Sequence, residues 1–263
     1  MADQQVPGES GSLDLDDDLF RTGGRQAKAT ILVPEAHNPH GKNVDVTVEV
    51  RDGRPMFEGD IVLYDADAPM TRGIGIKEEK YRWPGGVLVW IADPDAAALA
   101  TAAMQHWEQR TGIRFRARAD EKDYVHFRRL GASWSMVGRQ GGRQEISFSP
   151  TCTVGSAAHE IGHALGLWHE QSRGDRDQHI RVLMENVDPA NAHNFDRHIA
   201  DGFDIGTYDF GSVMHYSAKA FSSNGADTIV TLNGEGIGQR DGLSPGDIAA
   251  IGALYPQTVH ASG

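Results

Sequence analysis

The sequence predicts an α+β fold: a mixed sheet and a histidine-bearing helix in an N-terminal subdomain, then a loop-rich C-terminal subdomain ending in a helix, with a cleft between them. Three observations point there. Short segments of strand period recur up to Phe148. The run His159 to His169, H-E-I-G-H-A-L-G-L-W-H, then puts imidazoles at helical spacing. Beyond it the chain is loop-rich until one last helical stretch.

Met1 to Lys28 is polar, acidic and Gly-rich without a sustained period, and reads as a disordered tail. Val44, Val46, Val48 and Val50 alternate with Asp45, Thr47 and Glu49, as in a half-buried strand. Asp52-Gly53 supplies turn chemistry and Phe57 to Tyr64 a return segment, so a hairpin is expected. Asp65 to Gly75 reads as an exposed connector. A second unit begins near Tyr81. Val87, Val89 and Ile91 alternate as a strand, Asp93-Pro94-Asp95 starts a helix, and Leu99, Ala103 and Trp107 share one of its faces. Ile113, Phe115 and Ala117 alternate again, followed by strand candidates at Tyr124–Phe127, Trp134–Val137 and Glu145–Phe148. The last is a candidate edge for an extended peptide. The histidine-bearing helix covers about Thr153 to Leu165. A final helix spans Ser244–Leu254, with Ser244-Pro245 and Asp247 as its cap.

Composition narrows the function classes. With 263 residues, 39% hydrophobic and 24% charged, the chain can build a sizeable core. No apolar run approaches a membrane span. The net charge is −12, and residues 1–72 carry 14 acidic against seven basic side chains, so the excess sits at the front and reads as solvated. There is no long basic run, and nucleic acid is not an expected partner. The N-terminus lacks the basic and apolar regions of a Sec signal. Cys152 is the only cysteine, so no intrachain disulfide forms and stability must come from the core and the metal.

The His159–His169 run carries the chemistry. His159 and His163, four apart on a helix, can grip one ion. Gly166 permits a backbone reversal, after which His169 can return as a third ligand. Glu160, beside a ligand, is placed to act as base on metal-bound water. Three neutral imidazoles favour one Zn2+ with a fourth position open, although similar sites accept cobalt or copper.

From Phe57 to Tyr255 the sequence resembles an astacin-family zinc endopeptidase, a metzincin. The motif continues as His169-Glu170-x-x-Arg173-x-Asp175-Arg176-Asp177, and Tyr208 to Met214-His215-Tyr216 resembles the Met-turn segment. Tyr81-Arg82-Trp83-Pro84 and Trp107-Glu108-x-x-Thr111 are shorter matches. The resemblance implies peptide-bond hydrolysis, with Glu160 passing a proton to the leaving amine. Met214 would floor the metal, and Tyr216 would ligate it in the mature form and donate to the oxyanion. It also implies a zymogen. Phe57-Glu58-Gly59-Asp60 resembles the aspartate-switch motif, in which Asp60 would occupy the metal's fourth position. Cleavage near Arg72 by an activating protease, trypsin-like or the enzyme itself, would release it, and the new N-terminus would fold towards Glu170. The implied organisation is a tail over 1–28, an inhibitory prosegment over 29–73, a catalytic domain over 74–257 and a C-terminal tail over 258–263. The partner is a peptide or protein substrate; secretion is implied by the resemblance, while the N-terminus and the lack of disulfides leave non-Sec export and a cytoplasmic location as alternatives. Family catalytic domains carry two disulfides; here Gly112 and Ser133 stand where cysteines are expected, and Cys152 lacks its partner. Two other readings remain: a different metzincin such as a matrixin-like protease, and a catalytically silent zinc-containing module that binds peptides. Tyr216 and Glu170 speak against the first, Glu160 against the second.

Overall fold

The computed structural model describes residues 25–35, 38–51, 54–62, 79–197 and 204–256. Its first sheet is an antiparallel meander of β1 (Arg25–Glu35), β2 (Asn38–Arg51), β3 (Arg54–Phe57) and β4 (Ile61–Val62). All four alternating valines lie in β2, with Val48 buried. Strand β1 starts at Arg25, so Arg25–Lys28 belong to the sheet rather than to a disordered tail; the long register with β2, from Arg25↔Val50 onward, supplies backbone partners that composition does not reveal.

The return strand also differs from expectation. Arg51 pairs directly with Arg54, so the hairpin closes at once and β3 runs from Arg54 instead of Phe57. The expected Phe57–Tyr64 segment is broken by a turn at Glu58–Asp60, where Glu58 has φ 48° and Gly59 φ 81°. The turn residues Asp52-Gly53 and the connector with Arg72 lie outside the described residues.

The second sheet, of order β6-β5-β7-β8, is parallel: β5 (Val87–Ala92), β6 (Arg114–Ala117), β7 (Tyr124–Arg128) and β8 (Arg143–Ser147). Parallel neighbours need a crossover, and α1 (Ala97–Glu108) provides it between β5 and β6. The Asp93-Pro94-Asp95 turn precedes this helix, with the Asp93 carbonyl accepting from Ala96 and Ala97 N–H, both at 3.0 Å. Trp134–Val137 does not form a strand; it contributes an antiparallel bridge from Trp134 to Ser147 and a parallel one from Ser135 to Ile61. The Trp134 bridge adds one antiparallel contact at Ser147, and β8 remains the edge strand of the sheet.

One face of this sheet packs on α1 and on α2 (Val154–Ala164), burying Leu88, Val125, Phe127, Ile146 and Phe148 against Ala100, Ala103, Trp107, Ala157, Ala158 and Ile161. Alanines at the contact let the helices approach until Trp107 Nε1 donates to the Ala158 carbonyl at 3.0 Å. Thr153 caps α2, its Oγ1 accepting from Ser156 N–H. The remainder is loop-rich. It holds β9 (Ile180–Val182) paired with β10 (Ile229–Thr231), and a second core around Phe195, Tyr216 and Phe221. Helix α3 (Pro245–Leu254) starts on the Ser244/Asp247 capping box and packs Ile251 and Leu254 into the first core.

Candidate metal centre

Helix α2 presents His159 and His163 from one face; Gly166, at φ 104°, then reverses the backbone and brings His169 back beside them. The positive φ is why glycine stands there. All three rings are buried, and each Nδ1–H has an acceptor at 2.8 Å: the Val213 carbonyl for His159, the Leu167 carbonyl for His163 and the Glu58 carboxylate for His169. That fixes the tautomer, leaving three Nε2 lone pairs facing one another. His159 Nε2 lies 3.1 Å from that of His163 and 3.3 Å from that of His169.

The fourth corner is Asp60. Its Oδ2 is 3.2 Å from His159 Nε2 and 3.3 Å from His169 Nε2, and its Oδ1 is 3.7 Å from His163 Nε2. The four donor atoms lie within 4.8 Å of one another, and all four residues are buried. Ligands about 2.0–2.1 Å from a tetrahedral zinc stand roughly 3.3–3.4 Å apart, so these residues fit that ion. Unprotonated nitrogens at such separations repel unless a cation lies between them. Asp60 Oδ1 and both Glu160 oxygens are also buried without a hydrogen-bond partner, as expected beside an ion and its solvent.

Electrostatics divide the three rings. Burial holds the His163 imidazole well below its ordinary pKa and, with the Arg240 charge, brings His159 to about 4, so both stay neutral. Burial opposes a charge on His169 as well, but the Asp60 and Glu58 carboxylates raise that ring to about 9, so a cation at the centre would have to displace its Nε2 proton. Burial opposes ionisation of Asp60 too, but the rings around it, His169 first, draw its carboxyl well below the usual range. Glu160 moves the other way: burial and then the Asp60 charge push its carboxyl well up, against Arg240.

Tyr216 is buried with its ring 4.5 Å from that of His169, and its hydroxyl donates to the Glu58 carbonyl at 2.6 Å. Met214 packs against α2 in the first core: a Cβ on Gly162 would come within 2.6 Å of its Sδ. Asp247 does more than cap α3. It also accepts from Ser212 Oγ at 2.6 Å and Val213 N–H at 2.9 Å, tying the Met214 turn to that helix. Glu170 accepts from Asp209 N–H at 2.8 Å beside a cavity of about 60 Å³ shared with Arg173, Asp209 and Asp247. Burial raises its carboxyl to about 8, against Arg173. Cys152 is half-buried with its Sγ donating to the Thr153 carbonyl at 3.5 Å, and Ser133 Oγ accepts from Ser149 N–H where a second cysteine was expected.

The turn carrying Asp60 is held along its length. Ser135 N–H donates to the Asp60 carbonyl at 2.9 Å and Val62 N–H to the Ser135 carbonyl at 2.8 Å. Arg54 reaches Glu145 at 3.1 Å and covers the Trp134 ring at 4.8 Å. Phe57 meets Trp168 edge-on at 6.1 Å. The residue that receives β4 is therefore Ser135, whose neighbour Trp134 bridges to Ser147 of β8. Two contributors were not singled out from sequence: the Glu58 carboxylate and the Asp247 tie.

A family model described as Astacin, a family of peptidases, matches residues 75–256. Blastula protease 10 of Paracentrotus lividus is 40% identical over 67% of this chain and 32% of its own length. Tolloid-like protein 2 of Homo sapiens is 34% identical over 89% of this chain and 25% of its own. The zinc metalloproteinase nas-6 of Caenorhabditis elegans is 38% identical over 76% of this chain and 62% of its own. The chain thus spans less than two thirds of each of these curated relatives. Among solved structures, high choriolytic enzyme 1 of Oryzias latipes, a hatching enzyme zinc-protease, superposes with a TM-score of 0.65 at 34% identity, covering 70% of this chain and 99% of that one.

Proposed function

The chain belongs to the astacin family of peptidases, and on that premise we propose that it is a zinc-dependent endopeptidase held latent by its own N-terminal hairpin. One observation carries the reading: Asp60, from outside the family-matched region, sits fully buried as the fourth donor among His159, His163 and His169. Zinc bound by those residues would supply positive charge that polarises a carbonyl and acidifies water.

The chain's own groups would do the rest. Glu160, next to His159 and with neither carboxyl oxygen hydrogen-bonded, is placed to take a proton from attacking water and hand it to the leaving amine. Burial pushes the Tyr216 phenol well above its ordinary pKa, so it stays a donor. When the hairpin leaves, its hydroxyl is freed from the Glu58 carbonyl to stabilise the developing oxyanion. Ser135, where β4 docks, would offer its backbone N–H and carbonyl to an extended peptide or protein substrate once the hairpin leaves.

In this reading 29–73 is the prosegment and 74–257 the catalytic domain. An activating protease cuts near Arg72, and a new ammonium enters the cavity beside Glu170, where a buried carboxylate wants a cation. Secretion belongs to the same proposal; no helix among the described residues is long and apolar enough to cross a membrane. The test is Asp60→Asn in the uncut chain. Asparagine keeps the shape and removes the anionic ligand, so peptide hydrolysis should appear without cleavage, by at least the roughly tenfold that 1.4 kcal/mol of lost plug binding represents. An uncut variant as silent as the wild type would refute latency through Asp60.

A further inference from the structure

We propose that Glu58 is a second, independent anionic element of the plug, a positioning residue that acts on zinc through His169. The inference rests on the zinc-zymogen reading and goes beyond it, because that reading needs only Asp60. Glu58 is fully buried, and its carboxylate is bound at both ends: Oε2 accepts from His169 Nδ1–H at 2.8 Å, and Oε1 accepts from Ser172 Oγ. His159 and His163 give their Nδ1 protons to backbone carbonyls of the body of the protein, Val213 and Leu167. His169 alone gives its proton to a carboxylate, and that carboxylate arrives on the hairpin.

The backbone shows what this arrangement costs. Glu58 has φ 48°, a conformation that L side chains rarely adopt. Holding it there lets one residue turn its carboxylate to His169 while its carbonyl receives the Tyr216 hydroxyl at 2.6 Å. Two residues later Asp60 reaches the ion's position.

Charge explains why a second anion belongs there. Three neutral imidazoles and Asp60 around a divalent cation leave one net positive charge with no exposed side chain in the cage. A buried net charge is costly unless paired. Glu58 brings the sum of cation, Asp60 and Glu58 to zero. A carboxylate on the far nitrogen of a ligating imidazole also makes it a more basic ligand, and such partners change metal affinity by about 10–100-fold. The latent chain therefore holds zinc more tightly than Asp60 alone accounts for, and cleavage removes both anions together, leaving His169 Nδ1 to solvent or substrate.

The experiment measures zinc transfer from the full chain to a chromophoric chelator, before and after cleavage of the connector. The uncut Glu58→Gln chain should lose zinc about 10–100-fold more readily than the wild type. The two should coincide after the hairpin is removed, a pattern that general destabilisation does not give. Ser172→Ala, which keeps the charge but loosens its seat, should shift uncut zinc loss in the same direction by less; it carries the test if Glu58→Gln does not fold. Zinc loss from either folded uncut variant equal to that of the wild type overturns the role of Glu58 and leaves the zymogen reading standing. A wild-type chain that retains no zinc overturns the zymogen reading itself.

Discussion

The two halves of the candidate centre are built on opposite principles. His159 and His163 stand on a capped, regular helix whose neighbours are packed tightly enough that a Cβ on Gly155 would come within 1.6 Å of the Arg240 carbonyl oxygen. Asp60 and Glu58 sit on a three-residue turn with two consecutive positive φ values, held by one bridge from Ile61 to Ser135 and by Arg54 on the adjoining strand. The contrast teaches how one buried site can contain a permanent part and a removable part. The permanent part draws its geometry from local spacing and core packing. The removable part draws its geometry from contacts that vanish when the segment leaves, so it can afford a backbone the free segment would not hold.

The sharpest way to separate the halves is Glu160→Gln. In the cleaved chain it should lower peptide turnover by on the order of 10²–10⁴-fold, the usual worth of a positioned acid–base group, with zinc content unchanged. Turnover matching the wild type would remove Glu160 from the mechanism.

A second contrast is between latent and cleaved chains across pH. Glu170 has its carboxyl raised from an ordinary 4.5 to about 8 by burial, against Arg173. A carboxyl raised on folding favours the folded state below its unfolded pKa, and that contribution is lost as pH rises through the folded value. The urea midpoint of the latent chain should therefore fall between pH 5 and pH 9. The cleaved chain, with an ammonium beside Glu170, should fall less; equal falls would contradict the proposed docking of the new N-terminus.

Gly162→Ala strikes the permanent half, because the added Cβ would meet Met214 Sδ at 2.6 Å. Overpacking of this kind costs about 1–3 kcal/mol, read as a lower denaturation midpoint in both latent and cleaved chains. A loss confined to the latent chain would place Met214 in the removable half. Arg54→Ala strikes the plug more gently. Its pair with Glu145 is part-exposed, worth no more than about 1 kcal/mol, and the variant should release the hairpin slightly faster after cleavage. Release slower than in the wild type would show that Arg54 does not clamp it.

The α+β architecture was legible because its elements announce themselves locally. The Val44–Val50 alternation, the Leu99–Trp107 face and the Ser244/Asp247 cap each lie within a dozen residues and appear as β2, α1 and α3. The convergence of His159, His163 and His169 was legible for the same reason, since helical spacing and one glycine reversal set it. Long-range arrangements were not. Glu58 meets His169 across 111 positions, and no periodicity encodes that contact. Asp247 looks like an ordinary cap until Val213 is found beside it. The edge at Glu145–Phe148 was legible, since β8 ends its sheet, but the single bridge from Trp134 to Ser147 was too short to leave a strand pattern.

The proposal that this centre is complete but plugged is tested most directly by following hydrolysis of a quenched fluorescent peptide by the zinc-loaded chain, before and after proteolysis at the connector near Arg72. The account predicts an inactive intact chain and an active cleaved one, with chelation abolishing the gain. Equal activity in the intact and cleaved chains would contradict it.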